Sequence, residues 1–196
     1  MKLSLRSARA TFSLILAAFI STSVYGAGWG WGDSPDEERA EIREQRDAIL
    51  ASLYKTQPGA SQAVESAVGY ATFSNFGMKI FFAGGGTGTG MAVDNESKAE
   101  TFMNMVEVQA GLGLGVKKFR LVFVFETRSS FNNFVNSGWE IGAQATAAAK
   151  TGSDGAALAG AVSVQPGVWL YQMTQDGLAL ELTAKGTKYY KDSDLN

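Results

Sequence analysis

The sequence predicts an α+β protein: an antiparallel, strongly curved β domain with N-terminal helices and one short covering helix. Three observations carry that prediction. Leu121-Val-Phe-Val-Phe125 is an unbroken apolar run of β-formers, the pattern of an interior strand buried on both faces. Glycine recurs at alternate positions, at Gly84, Gly86, Gly88 and Gly90 and again at Gly111, Gly113 and Gly115. A period of two leaves one strand face bare of side chains, so the sheet can bend and be approached closely. Finally, Asp154-Gly155, Pro166-Gly167 and Asp176-Gly177 punctuate the C-terminal third into segments of hairpin length, a meander of antiparallel strands.

Lys2, Arg6 and Arg9 precede the apolar run Phe12 to Ile20, and small and polar residues follow up to Gly26. This is the pattern of a secretory signal peptide over residues 1–26. The run is short of the roughly 20 apolar residues that span a bilayer. An exported location, periplasmic or beyond, is the expectation. Residues 27–57 then form a flexible leader and an N-terminal helix, and residues 58–196 the β domain. The leader's Trp29 and Trp31 read as a membrane-interface anchor or as a disordered processed terminus, the second being the plainer reading.

Ser34-Pro-Asp-Glu37 is a capping box with Pro at the first helical position, and predicts a helix to about Lys55. Its acidic first half reads as a solvated face. Pro58-Gly59 breaks it, and Ala60 to Ala67 reads as a second helix. Strands follow at Tyr70 to Phe73, Met78 to Val93 and Thr101 to Val108, with Asp94 to Lys98 as a turn. After the interior strand, Ser129 or Ser130 caps a short helix whose Phe131, Phe134 and Val135 share one face, and Gly138 ends it. Trp139 begins a returning strand, residues 142–150 fit either helix or strand, and Leu178, Leu180 and Leu182 alternate with polar residues in the last strand.

The chain contains no His and no Cys. Ser-His-Asp and Cys-His catalysis, thiol redox chemistry, disulfides and the usual zinc sites are therefore unavailable. Glu107, Glu126, Glu140 and Glu181 lie in or beside strands without the spacing of a catalytic pair, and read as outward residues or strand ends. Gly84 to Gly90 lacks both the Gly-Lys-Ser/Thr of a phosphate loop and the helix-opening G-x-G-x-x-G of a dinucleotide fold. Asp192-Ser-Asp-Leu-Asn196 resembles the start of a calcium loop without its glycine and distant glutamate. The expectation is a non-enzyme with no cofactor and no metal. Without residues 1–26 the chain has 14 basic and 19 acidic residues, a net charge of -5. That balance gives no generic affinity for nucleic acid.

From Ala67 onward the order of motifs resembles the SYLF domain family. Ala67-Val-Gly-Tyr-Ala-Thr-Phe73 is similar to the family's opening A-x-G-x-A-x-F, although the proline that often follows is Ser74 here. Gly84 to Val93 resembles its glycine strand, and Gln109 to Gly115 with Leu121 to Phe125 resembles the next glycine strand and apolar run. Gly138-Trp-Glu-Ile-Gly142, Pro166-Gly-Val168 and Lys185-Gly-Thr-Lys-Tyr-Tyr-Lys191 look like the exported bacterial branch. The resemblance implies a barrel-like antiparallel domain with helices packed on it, and phospholipid or a membrane surface as the partner. The helix that binds membrane in eukaryotic members is basic, whereas Ser34 to Lys55 is acid-rich, so phosphoinositide specificity is not carried over. A structural cell-envelope protein that binds a protein partner is the alternative.

A domain of this charge approaches an anionic bilayer only through a local cationic face, each surface cation contributing about 1 kcal/mol. Two segments offer cations beside aromatics. One is Lys117, Lys118 and Arg120 around Phe119; the other is Lys185, Lys188 and Lys191 around Tyr189 and Tyr190.

Overall fold

The computed structural model describes residues 34–80, 83–110, 115–141, 150–151, 156–174, 177–179 and 186–196. They fall within one compact unit, Asp33–Asn196. The expected signal peptide, the leader with Trp29 and Trp31, Lys185, the ambiguous segment 142–149 and the Asp154-Gly155 turn lie outside the described residues.

Helix α1 (Pro35–Thr56) begins at Ser34, whose hydroxyl accepts from the Glu37 amide while the Glu37 carboxylate accepts from the Ser34 amide. Both halves of the capping box are therefore made. Helix α2 (Ala60–Ser66) follows the Pro58-Gly59 break. The sheet then opens with β1 (Gly69–Ile80) and β2 (Ala83–Asp94), paired antiparallel through the facing positions Ile80 and Ala83. This corrects the reading of Met78 to Val93 as one strand. Phe81 and Phe82 carry no turn signal in the sequence, while ladders to β2 on one side and β4 on the other hold Ser74 to Ile80 extended.

Next come β3 (Glu100–Ala110) and β4 (Gly115–Phe125), then α3 (Arg128–Ser137). The cap of α3 is Thr127, whose hydroxyl accepts from the Ser130 amide, and not Ser129 or Ser130. Short strands β5 (Trp139–Ile141) and β6 (Lys150–Thr151) precede the hairpins β7 (Val162–Gln165), β8 (Val168–Thr174) and β9 (Gly177–Ala179), and β10 is Gly186–Lys191. Every pairing is antiparallel, in the order β5-β10-β3-β2-β1-β4-β8-β7-β6 with β9 on β8. The sheet is strongly curved, a half-barrel, and the fold is α+β as the glycine pattern and hairpin signals predict.

Alternation splits the sheet into two faces. On the α3 face, Phe73, Phe123, Phe125 and Tyr189 meet Phe134 and Trp139, with ring centroids as close as 4.9 Å for Phe73 and Tyr189 and 5.0 Å for Phe125 and Phe134. The register places Gly84, Gly86, Gly88 and Gly90 on this same face. A Cβ at Gly90 would collide with the Thr72 carbonyl and lie 2.5 Å from the Phe73 ring. At Gly90 the bare face is thus where the Phe73 ring of the neighbouring strand lies down.

On the opposite face, Ile49 and Leu53 of α1 with Ala60, Ala63 and Val64 of α2 cover Val122, Val124 and Tyr171. Ile42 packs with Met91, Val93, Phe102 and Leu195. The acidic first half of α1 is not simply solvated: Arg43 and Arg46 both bond the Glu100 carboxylate, at 2.7 and 2.9 Å, and Arg39 donates to the Leu195 carbonyl. Leu121 to Phe125 are buried on both faces, as the apolar run predicts.

Candidate functional site

Among the described residues, cover on the α1 face stops partway along the strands. Beyond α1, β3 and β10 run side by side with Asn104 facing Tyr190, Val106 facing Lys188 and Val108 facing Gly186. Val106, Val108 and Tyr190 are 38%, 65% and 37% exposed, the large hydrophobic side chains most open to solvent among the described residues. They line a groove whose two parts meet at Val106 and Tyr190. One part, of about 580 Å³, is bounded by Val106, Val108, Gly186, Lys188 and Glu140 and is mostly apolar. The other, of about 530 Å³, runs toward α1 between Thr87, Thr89, Asn104 and Gln45 and is half polar. Each is of the size that takes small molecules.

The pattern of β3 explains the patch. Across Val106-Glu107-Val108 the usual arrangement is inverted, with the valines outside and Glu107 buried on the α3 face. Glu107 was expected to point outward. Burial first, then the negative charge of Glu107 on the same face, pushes the Tyr189 hydroxyl far above its ordinary value. Glu126 and Glu140 are exposed.

The expected contact residues separate by the same alternation. Tyr190 and Lys188 belong to the groove. Lys188 is 61% exposed and its ammonium stands 3.8 Å from the Glu140 carboxylate, itself 74% exposed. Tyr189 faces the other way and is 2% exposed, so it does not reach a headgroup; here the sequence expectation is corrected, because adjacent residues of a strand take opposite faces. Lys191 is exposed, at the end of β10 on the Tyr189 side of the alternation. Arg120 is exposed, and lies in the register row Arg120, Ser74, Thr89, Asn104, Tyr190. The backbone of Lys118 falls in the next row with Thr87, Val106 and Lys188, and Lys117 falls on the alternate register. The two basic segments, distant in sequence, thus send Arg120 and Lys188 to one face, four strand steps or roughly 19 Å apart.

Sequence reasoning missed Val106, Val108, Gln45 and the Thr87-Thr89 pair as groove residues. The available signal was the apolar content of both faces of β3 with a glutamate at 107, which an alternating strand with one wet face would not show. The Asp192 carboxylate, at the start of the calcium-like tail, accepts from the Asp194 and Leu195 amides at 2.8 and 3.1 Å and from the Asn104 side chain. It is thereby committed to docking the tail on β3. Among the described residues no cluster of three or more acidic side chains is placed to hold a metal, and no helix is long and apolar enough to cross a membrane.

A curved antiparallel half-barrel with an aromatic core under one helix and a half-polar groove on its other face defines the class. The family model described as Ysc84, Las17-binding protein actin regulator, matches residues 106–196, which include β10 and the exposed end of β3. A curated relative, Beta cell expansion factor A of Aeromonas veronii, is 31% identical over 159 residues, which is 81% of this chain and 59% of that protein. Over residues 106–196 the chain matches the Ysc84/SYLF family, the family that the order of its motifs resembles.

Proposed function

We propose that this protein is a non-enzymatic, exported binder of phospholipid that meets lipid at the open end of the α1 face. The observation that supports it is the grouping of Val106, Val108 and Tyr190 in the open on two neighbouring strands, with Lys188 among them and Arg120 on the same face. An exposed apolar patch flanked by cations has the complementarity of an anionic phospholipid surface, with negative headgroups over a hydrocarbon interior. The SYLF resemblance points to the same partner. The N-terminal pattern of residues 1–26 supports export, and the lack of His and Cys supports a binding role.

The test is co-sedimentation with anionic vesicles. Lys188→Glu combined with Arg120→Glu should weaken pelleting and flatten its salt dependence while circular dichroism stays unchanged. Pelleting that is equal for wild type and variant, or insensitive to salt, would overturn the basic-face reading.

A second reading, contact with a protein at the same face, is favoured by the family description, which names binding to the protein Las17 and regulation of actin. A protein partner would be retained by wild type in the absence of any vesicle and lost in Val108→Asp.

A further inference from the structure

We infer that this face selects the zwitterionic phosphoethanolamine headgroup of a membrane lipid, with Lys188 taking the phosphate and Glu140 the primary ammonium. The inference rests on the lipid reading above and deepens it, because that reading uses the cations of the face and gives Glu140 no part.

Register sets the two charges side by side. Glu140, Lys188 and Val106 face one another on β5, β10 and β3, so their side chains leave the sheet in one row on one face. Both charged groups line the same mostly apolar part of the groove as Val106, Val108 and Tyr190. Gly186, next along that face of β10, leaves the approach clear, since a Cβ there would meet nothing within 4 Å. Against a purely anionic headgroup, the Glu140 carboxylate repels what Lys188 attracts. A headgroup carrying both signs turns the same carboxylate into a second point of attachment.

The pair is open to exchange. Ammonium and carboxylate are 3.8 Å apart, longer than a hydrogen bond, and the two side chains are 61% and 74% exposed. A surface pair this loose contributes little by itself and gives way to a ligand that supplies both partners. In phosphoethanolamine a two-carbon bridge separates phosphate from ammonium. One headgroup laid across β10 and β5 therefore sets a phosphate oxygen against Lys188 and the ammonium against Glu140, and both contacts are charge-assisted hydrogen bonds. The primary ammonium is decisive, because it carries N–H donors for the carboxylate, whereas the trimethylated ammonium of phosphocholine carries none.

The experiment pellets the full chain with vesicles holding the same fraction of phosphatidylglycerol in a background of either phosphatidylcholine or phosphatidylethanolamine. The two vesicles have equal net charge, so the basic face alone does not tell them apart. Wild type should bind the ethanolamine background about fivefold more strongly. Glu140→Gln should show no preference between the backgrounds, with circular dichroism unchanged. Ethanolamine lipids also change bilayer packing, and a preference due to packing would persist in Glu140→Gln; that result, or equal binding of wild type to both vesicles, would overturn the inference. In either case pelleting of wild type on the choline background leaves the lipid reading standing. If wild type pellets with neither vesicle, the lipid reading falls and the headgroup inference falls with it.

Discussion

Tyr189 and Tyr190 are chemically identical neighbours with opposite lives. One ring is locked among Phe73, Phe123 and Phe134, and the other forms the wall of an open groove. The only difference is strand parity, and the same parity decides which glycines matter. Gly90→Val should lower the melting temperature through overpacking against Thr72 and Phe73, a loss of about 1–3 kcal/mol. Gly85→Ala is the contrast, because its Cβ would find nothing closer than the Glu107 carbonyl at 3.4 Å, an ordinary contact. Thermal denaturation of both variants checks the pair, and equal melting temperatures would mean that the bare face is not what the rings require.

At the scale of the element, α3 is a ten-residue helix held by three buried side chains, Phe131, Phe134 and Val135, and by caps at both ends. Its end at Gly138 is fixed by φ of 70° and by the Tyr189 carbonyl, which would lie 2.7 Å from any Cβ there. At its start the Thr127 hydroxyl satisfies the Ser130 amide at 3.2 Å. Thr127→Ala should therefore cost about 1 kcal/mol of stability, while Ser129→Ala, at a position exposed to solvent, should change little. Denaturant midpoints measured on the two variants distinguish the caps, and a larger loss at Ser129 would contradict the assignment. Arg128, just inside the helix, ties it to Asp94 and Glu96 of the β2-β3 turn, so the cap and the turn are held as one corner.

At the scale of the whole molecule, tyrosine burial couples stability to alkaline pH. Burial raises the Tyr54 hydroxyl to about 12, helped by Tyr70 and Glu65, and burial alone raises Tyr171 to about 12, where its hydroxyl donates to the Ala157 carbonyl at 2.7 Å. In the unfolded chain these groups ionise near a pKa of about 10. A folded value raised above the unfolded one contributes stability that is complete below about pH 10 and is lost as pH rises toward about 12, because only the unfolded chain releases its protons in that window. Denaturant midpoints should accordingly fall across that range, with the tyrosinate absorbance of these residues appearing together with loss of circular dichroism. Ionisation of the full tyrosine complement near pH 10 in a protein that remains folded would contradict the burial of Tyr54, Tyr171 and Tyr189.

What the sequence determined by itself was local and periodic. The Ser34-Glu37 box, the Pro58-Gly59 break, the Pro166-Gly167 turn and the run Leu121 to Phe125 each act through neighbours in the chain, so their helices, turn and buried strand were legible without a fold. The alternate glycines announced a bare face for the same reason. Tertiary structure alone decided which bare face meets which ring, because that depends on the register between β1 and β2. It decided that the chain stays extended through polar Ser74 and Asn75, since paired ladders on both sides of β1 hold them there. It also decided the candidate site. Val106, Tyr190, Gln45 and Arg120 are brought to one face by a sheet order that sets β10 beside β3 and β4 four steps away, and nothing in the one-dimensional spacing of those residues encodes that order.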